Sequence, residues 1–380
     1  MLTIKVSPNM TSPFEDKTVR IPKHIRDTLK ITDGDFIRLR IGNNTPLLMQ
    51  AGLALADDVV NGGEEYSWVT KSTYSKLTTT NKKELKSVVE EPKPEPSIDV
   101  TIGSDPEFFV IPKLLPSLIL PANRVGLEHT NQIGSDGNLG ELRPSFAKTV
   151  DGLIENTRKL VIQLPDYLGE DKIAKAYSCF GGLAAGYHVH LGLPHPMLEY
   201  REVSRASAHV LVRCLDYFVG VLSTVGEVNN ERRTAKYTYG SPGDCRFTFS
   251  TLEYRTPGAY LLRSPALSRG LFSISKLITD DVVTKLSIIT GGWKPMTNAT
   301  KKLNMFISKD YSLPKIEKVT DMVVSVNKNA AIKESDIILK QMQSLRNYGI
   351  YQQAIEKFMT IITSGTIPPP EFVDTWKETK

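Results

Sequence analysis

GYHVHLGL, residues 186–193, alternates in the manner of an extended strand. Side chains on a strand point to opposite faces with period two. Tyr187, Val189 and Leu191 therefore share one face, and His188, His190 and Gly192 share the other. The first face is built for a core. The second presents two of the chain's six histidines side by side, with Gly192 expected to leave room beside them.

The same pattern recurs in three further strands. In TIGSDPEFFV (101–110), Asp105 and Glu107 share a face while Phe108 and Val110 point away. In SDGNLGELRPS (135–145), Glu141 and Arg143 lie opposite Leu142. In STLEYRTPG (250–258), Glu253 and Arg255 alternate with Leu252 and Tyr254. A single such pair fits any half-solvated strand. Four together are another matter, because charges that share a concave surface must pair or bind ions to offset lost hydration. Three Glu, one Asp and two His form a donor set for a hard cation, magnesium or manganese rather than zinc. Arg143 and Arg255 suit phosphate, which a guanidinium grips in a forked geometry.

The segment VNNERRTAKYTYGSPGDCRF (228–247) joins two of these regions and holds Arg232, Arg233, Lys236 and Arg246 around a Gly/Pro turn. Such a loop is expected to act as an anion clamp. The chain has no GxxxxGK[ST] loop, no GxGxxG after a strand and no GxSxG elbow. Any nucleotide is therefore expected to be held by metals and arginines on a sheet.

GSDPEFFV, SDGNLGELRP, GYHVHLGL and LEYRTPG, in that order, resemble the phage-type COOH–NH2 ligases, or amidoligases, of the glutamine synthetase and glutamate–cysteine ligase superfamily. The resemblance spans about residues 99–290. It implies an α+β fold: a curved antiparallel sheet with helices on its convex face and, in its hollow, ATP and two or more magnesium ions, or manganese in their place. It implies ATP-dependent ligation of a carboxylate to an amine, giving an amide or isopeptide bond through an acyl phosphate. Carried over by position, Asp105, Glu107, Glu141, His188 and Glu253 would bind metal. His190, Arg143, Arg232 and Arg255 would hold the nucleotide. Asp136, Arg233, Arg246 and Arg255 would serve catalysis, with Asp136 or Glu253 taking the amine's proton. A phosphotransferase of the same fold, and a phage structural or DNA-associated scaffold without turnover, are the competing readings.

Outside that region the composition changes. Residues 1–58 are strand-rich and contain TVRIPKHIRDTLKITDGDFIRLRI (18–41). There Pro22 suits a helix start, Ile25 and Leu29 recur at helical spacing, and Phe36–Ile41 reads as a strand. IPKHIRDTLKITDGD resembles AbrB-like domains, which implies a small β-rich dimerising unit. Lys17, Arg20, Lys23, Arg26, Arg38 and Arg40 are interleaved with Asp16, Asp27, Asp33 and Asp35, so no clean basic stripe marks DNA binding. Residues 59–98, rich in Ser, Thr, Lys and Glu and ending in EPKPEP, read as a linker to a catalytic domain over 99–380.

Within that domain, helices are expected over 150–164, where Val150, Leu153, Ile154, Thr157, Leu160, Val161 and Leu164 form one stripe, over 198–225 and over 264–279, with a largely helical tail from 316 to 364. The apolar run HVLVRCLDYFVGVLSTVG (209–226) contains Arg213 and Asp216, which fits a buried helix better than a membrane span. Three widely spaced cysteines and the lack of a secretory pattern at residues 1–10 lead to an expected cytoplasmic location. The formal charge of +5 permits an anionic partner without demanding one.

Overall fold

The computed structural model describes residues 2–6, 18–29, 36–40, 47–53, 66–69, 71, 74–75, 85–90, 100–199, 202–234, 239–248 and 250–377. Asp16, Lys17, Asp33, Asp35 and Lys236 lie outside the described residues, as do the side chains of Arg38 and Arg40. The chain divides into two compact units, Met1–Ser97 and Ile98–Lys380.

In the first unit, strands β1 (Leu2–Val6), β2 (Thr18–Ile21), β3 (Phe36–Arg40), β4 (Leu47–Leu53), β5 (Tyr66–Val69) and β6 (Leu85–Glu90) close a barrel in the order β1-β5-β2-β4-β3-β6. Ile4, Val19, Ile21, Trp68 and Val69 are buried. The expected helix runs over Lys23–Leu29, and the Pro22 carbonyl accepts the amides of Ile25 and Arg26. The stretch 59–98 is not only a linker, since it supplies β5 and β6. Composition averaged over some forty residues concealed two short strands. Of these, β5 gains its stability by pairing in parallel with β1, Thr3 opposite Tyr66, and by burying Trp68.

The second unit is built on an open antiparallel sheet. Its strands are β7 (Thr101–Pro112), β8 (Ile133–Asp136), β9 (Leu139–Leu142), β10 (Lys172–Lys175), β13 (Tyr187–Gly192), β14 (Cys245–Phe247) and β15 (Leu252–Tyr254). The order is β14-β15-β13-β7-β9-β8, with β10 paired to β7. Two short strands, β11 (Cys179–Phe180) and β12 (Leu183–Ala184), form a separate ribbon.

One face of this sheet is apolar. Ile102, Phe108, Val110, Leu142, Tyr187, Val189, Leu191, Leu252 and Tyr254 join the helices in one core. Each fully buried side chain of this size contributes about 1.5–3 kcal/mol, so the face fixes the register of every strand in it. Gly140 lies opposite Phe108, and a Cβ there would come within 2.3 Å of the Phe108 ring.

The helices follow the apolar stripes. Thr149 caps Val150–Leu168 by accepting the Gly152 amide at 3.1 Å, and all seven stripe residues are buried. Ser264 caps a helix that runs beyond the expected end to Thr290, because Val282, Val283 and Leu286 extend its buried side. The helix expected over 198–225 consists of Glu202–Leu215, a wider π-helical turn at Asp216–Gly220, and Val221–Val225. Val203–Val225 is long and apolar enough to cross a membrane, yet it lies largely inside this unit, as expected for a core helix. Helices Ile316–Val324, Lys328–Gln343 and Tyr348–Ser364 make up the tail.

Candidate functional site

The opposite face of the sheet collects the polar pairs. Because neighbouring strands are hydrogen-bonded in register, residues far apart in sequence form rows across the sheet. Arg246 pairs with Glu253, Glu253 with His190, and His190 with Gly103. In the next row His188 pairs with Asp105, and beyond it Glu107 pairs with Glu141. Asp136 lies at the exposed end of the β8–β9 hairpin, on the same face as Glu141. Gly103 is the small position beside His190. Gly192 leaves no room, contrary to expectation, because a Cβ there would lie 2.0 Å from Thr101 Oγ1.

Asp105 is at the centre of the cluster. Its Oδ1 lies 3.0 Å from His188 Nδ1 and its Oδ2 lies 3.0 Å from His190 Nε2. His188 Nδ1 is also 3.6 Å from Glu253 Oε1. Arg246 Nε approaches Glu253 Oε2 at 2.6 Å, and Arg255 Nε approaches Oε1 at 3.2 Å. Arg143 pairs with Glu141 and donates to the carbonyls of Asn131 and Ser135.

Burial sets the protonation tendencies. Burial alone would raise Asp105, but the two imidazoles outweigh it and hold the carboxyl well below the usual range. Burial pushes Glu107 up against the pull of His188. Burial and the charges of Asp105 and Glu107 push Glu141 up to about 8, despite Arg143. His188 is raised, because Asp105, Glu107 and Glu253 overcome its desolvation.

The residues fit a divalent cation. Ligand atoms of Asp105, His190 and Glu253 all lie within 4.8 Å of one another. Asp105 Oδ1, His188 Nδ1, His190 Nε2 and Glu253 Oε1 are buried, and their close approaches lack the angles of a hydrogen bond. Buried polar atoms in this state are costly unless something else satisfies them. The carboxylate oxygens favour a hard divalent cation, whereas the imidazoles also accept transition metals. His190, expected on the nucleotide side, belongs to the trio closest to one ion's reach.

Arg232 and Arg233 do not face this cluster as free clamps. They are 0% and 1% exposed. Arg233 makes a forked pair with Glu227 and donates to the carbonyls of Gly240 (3.0 Å) and Thr256 (3.2 Å). Arg232 donates to Thr256 (2.7 Å), Arg255 (2.8 Å) and Pro257 (3.0 Å). Their expected roles in binding nucleotide and stabilising phosphoryl charge give way to a structural one. An arginine matched to this many carbonyls has little left to offer an anion. Arg246 and Arg255 remain on the open side, with side chains 62% and 27% exposed.

The residue that sequence reasoning passed over is Tyr239, within the loop 228–247. Its hydroxyl donates to Glu107 Oε2 at 3.1 Å and meets His188 Nε2. Both Arg232 and Arg255 lie over its ring, at 4.9 and 4.8 Å from the centroid. No periodicity marks it, because the loop turns rather than alternates. The only local sign is Gly240 beside it, at φ +75°.

Comparison with known proteins adds a family. The family described as phage phiEco32-like COOH.NH2 ligase-type 2 matches residues 102–288. No curated protein matches the sequence. Among solved structures, a bifunctional glutathione synthetase from Pasteurella multocida is similar at 10% identity and TM-score 0.38, over 73% of this chain and 48% of that one. The chain thus spans about half of that synthetase. A GmaS/ADP complex is similar at 12% identity and TM-score 0.40, over 94% of this chain and 96% of that one. GmaS without ligand is similar at 14% identity and TM-score 0.40, over 91% and 94%.

Proposed function

We propose, from the membership of residues 102–288 in the phage phiEco32-like COOH–NH2 ligase family, that this protein is an ATP-dependent carboxylate–amine ligase. The observation that carries the proposal is the row Arg246–Glu253–His190 beside Asp105 and His188, on one face of one sheet. The substrates would be a carboxylate and an amine. A carboxylate oxygen attacks the γ-phosphorus of ATP, giving an acyl phosphate and ADP. The amine nitrogen then attacks the acyl carbon, the amide C–N bond forms, and phosphate leaves.

Both partners of the first step are anions, and the site's charges suit that difficulty. Asp105, His190 and Glu253, with His188, Glu107 and Glu141 beside them, would hold magnesium, which neutralises phosphate charge when bound. Arg246 and Arg255 would meet the phosphates, and Arg143 would orient Glu141. Both oxygens of Glu253 lie against guanidiniums. That leaves exposed Asp136 as the better acceptor for the amine's proton. The three free cysteines, Cys179, Cys214 and Cys245, suit a reducing cytoplasm. For the N-terminal barrel we propose a dimerising or substrate-docking role.

The test is ADP release screened over pairs of acids and amines, with mass spectrometry of the products. The expected product is joined with loss of one water and depends on magnesium. A stable phosphorylated product would instead make the protein a phosphotransferase.

A further inference from the structure

We propose that Tyr239 is a positioning residue: it fixes the His188 tautomer, so that Nδ1 faces a divalent cation at Asp105, His190 and Glu253, and it orients Arg255. The inference rests on the cation-binding reading of that trio.

The phenol has one hydrogen to give. Glu107 Oε2 already accepts the Gly186 amide at 2.5 Å, so it is an acceptor for Tyr239 as well. With its hydrogen committed there, the Tyr239 oxygen accepts from His188, which places the imidazole hydrogen on Nε2. In the neutral ring the Nδ1 lone pair then points at Asp105 Oδ1 (3.0 Å) and Glu253 Oε1 (3.6 Å). A lone pair facing two carboxylates is unfavourable unless a proton or a metal ion lies between them. Metal-ligating histidines are commonly held in this way, with the far ring nitrogen donating to a fixed partner.

The ring has a second task. Arg232 is fixed by three carbonyls and lies over the ring, and Arg255, also over the ring, reaches Glu253 and Asp244 (3.6 Å). The π face therefore sets where the Arg255 guanidinium sits. Gly240, which follows Tyr239, is held through both of its backbone groups. The Gly240 amide donates to Asp244 Oδ2 at 2.7 Å and the Gly240 carbonyl accepts from Arg233. Gly186 completes the fit, because a Cβ there would lie 2.4 Å from His188 Nε2 and 3.0 Å from the Tyr239 oxygen.

Two variants separate the two tasks. Tyr239→Phe keeps the ring and removes the hydroxyl; Tyr239→Leu removes both. Manganese binding is read by electron paramagnetic resonance titration, and metal-free nucleotide binding by calorimetry in EDTA. Tyr239→Phe should weaken manganese binding by about tenfold or more and leave nucleotide binding unchanged. Tyr239→Leu should weaken both. Long-range proton–nitrogen NMR of the magnesium-loaded protein should show His188, identified by its loss in His188→Gln, with hydrogen on Nε2, and a mixture of tautomers in Tyr239→Phe. Should Tyr239→Leu not fold, Tyr239→Phe decides the tautomer and Tyr239→Met, which also lacks the ring, decides the placement of Arg255; unchanged nucleotide binding in the ringless variant overturns that placement. Wild-type manganese affinity in Tyr239→Phe overturns the role of Tyr239 while the cation site stands. A wild-type protein that binds no manganese overturns both.

Discussion

Two groups of buried charge in the second unit use the same kinds of residue and differ in how their hydrogen bonds are met. Around Glu227, Arg232 and Arg233, the guanidiniums have found a carboxylate and the carbonyls of residues 240 and 255–257. Around Asp105, four buried atoms from Asp105, His188, His190 and Glu253 lack a hydrogen-bonding partner of good geometry. The first group is a frame that fixes the loop carrying Tyr239 and the strand end carrying Arg255. The second leaves ligand atoms unsatisfied by the chain, which the proposed cation would satisfy. The difference is one of degree, since Arg232 Nε is also buried without a partner, but in the first group the other guanidinium nitrogens are met by the chain itself.

The largest expected effect falls on the incompletely matched group. His188→Ala with His190→Ala should abolish magnesium-dependent ATP turnover while a cooperative melting transition survives. Normal turnover in that protein would refute the assignment. The matched group should respond in stability first. Arg233→Met strands Glu227 in the interior and should cost about 3–5 kcal/mol, measured by denaturant unfolding. An unchanged midpoint would show that the pair is not the frame described.

A pH series sharpens the contrast further. The folded pKa of Glu141, about 8, lies above its unfolded value. Its contribution to stability is therefore fully present below the unfolded pKa and is lost as pH rises through the folded one. His188, Glu107 and Asp216 are raised and share that sign, whereas the lowered Asp105 acts only in strong acid. Thermal stability in EDTA should thus fall from pH 5 to pH 8, and Glu141→Gln should flatten the slope. A slope unchanged in Glu141→Gln would remove Glu141 from the account. The smallest effect is expected at the rim. Arg246→Ala, at a side chain 62% exposed, should cost less stability than the Arg233 change, because Arg255 still faces the buried Glu253 carboxylate. Its signature should be a rise of a few-fold in KM for ATP, and an unchanged KM would leave Arg255 as the phosphate-facing arginine.

Much of the sheet was legible before any coordinates. Period-two alternation put His188 with His190, Asp105 with Glu107, and Glu253 with Arg255, and the apolar partners of each occupy the core. The helical stripe from Val150 to Leu164 was equally plain. Legibility failed where the chain leaves regular structure. Arg232, Arg233 and Arg246 looked equivalent in the loop 228–247, yet only Arg246, on β14, projects onto the site face. The strands at 66–69 and 85–90 were hidden for a related reason, since four to six residues barely move the composition of the segment around them.

The sequence by itself determined which side chains share a face of each strand, because alternation is a property of the extended backbone and needs no partner. It also determined the donor types, carboxylate, imidazole and guanidinium, that those faces present. Only the tertiary structure decided which strands adjoin, which arginines are consumed by carbonyls, and that Tyr239 meets Glu107 and His188. Those outcomes depend on long-range pairing and on a turning loop, where proximity arises from closure of the fold rather than from any local periodicity.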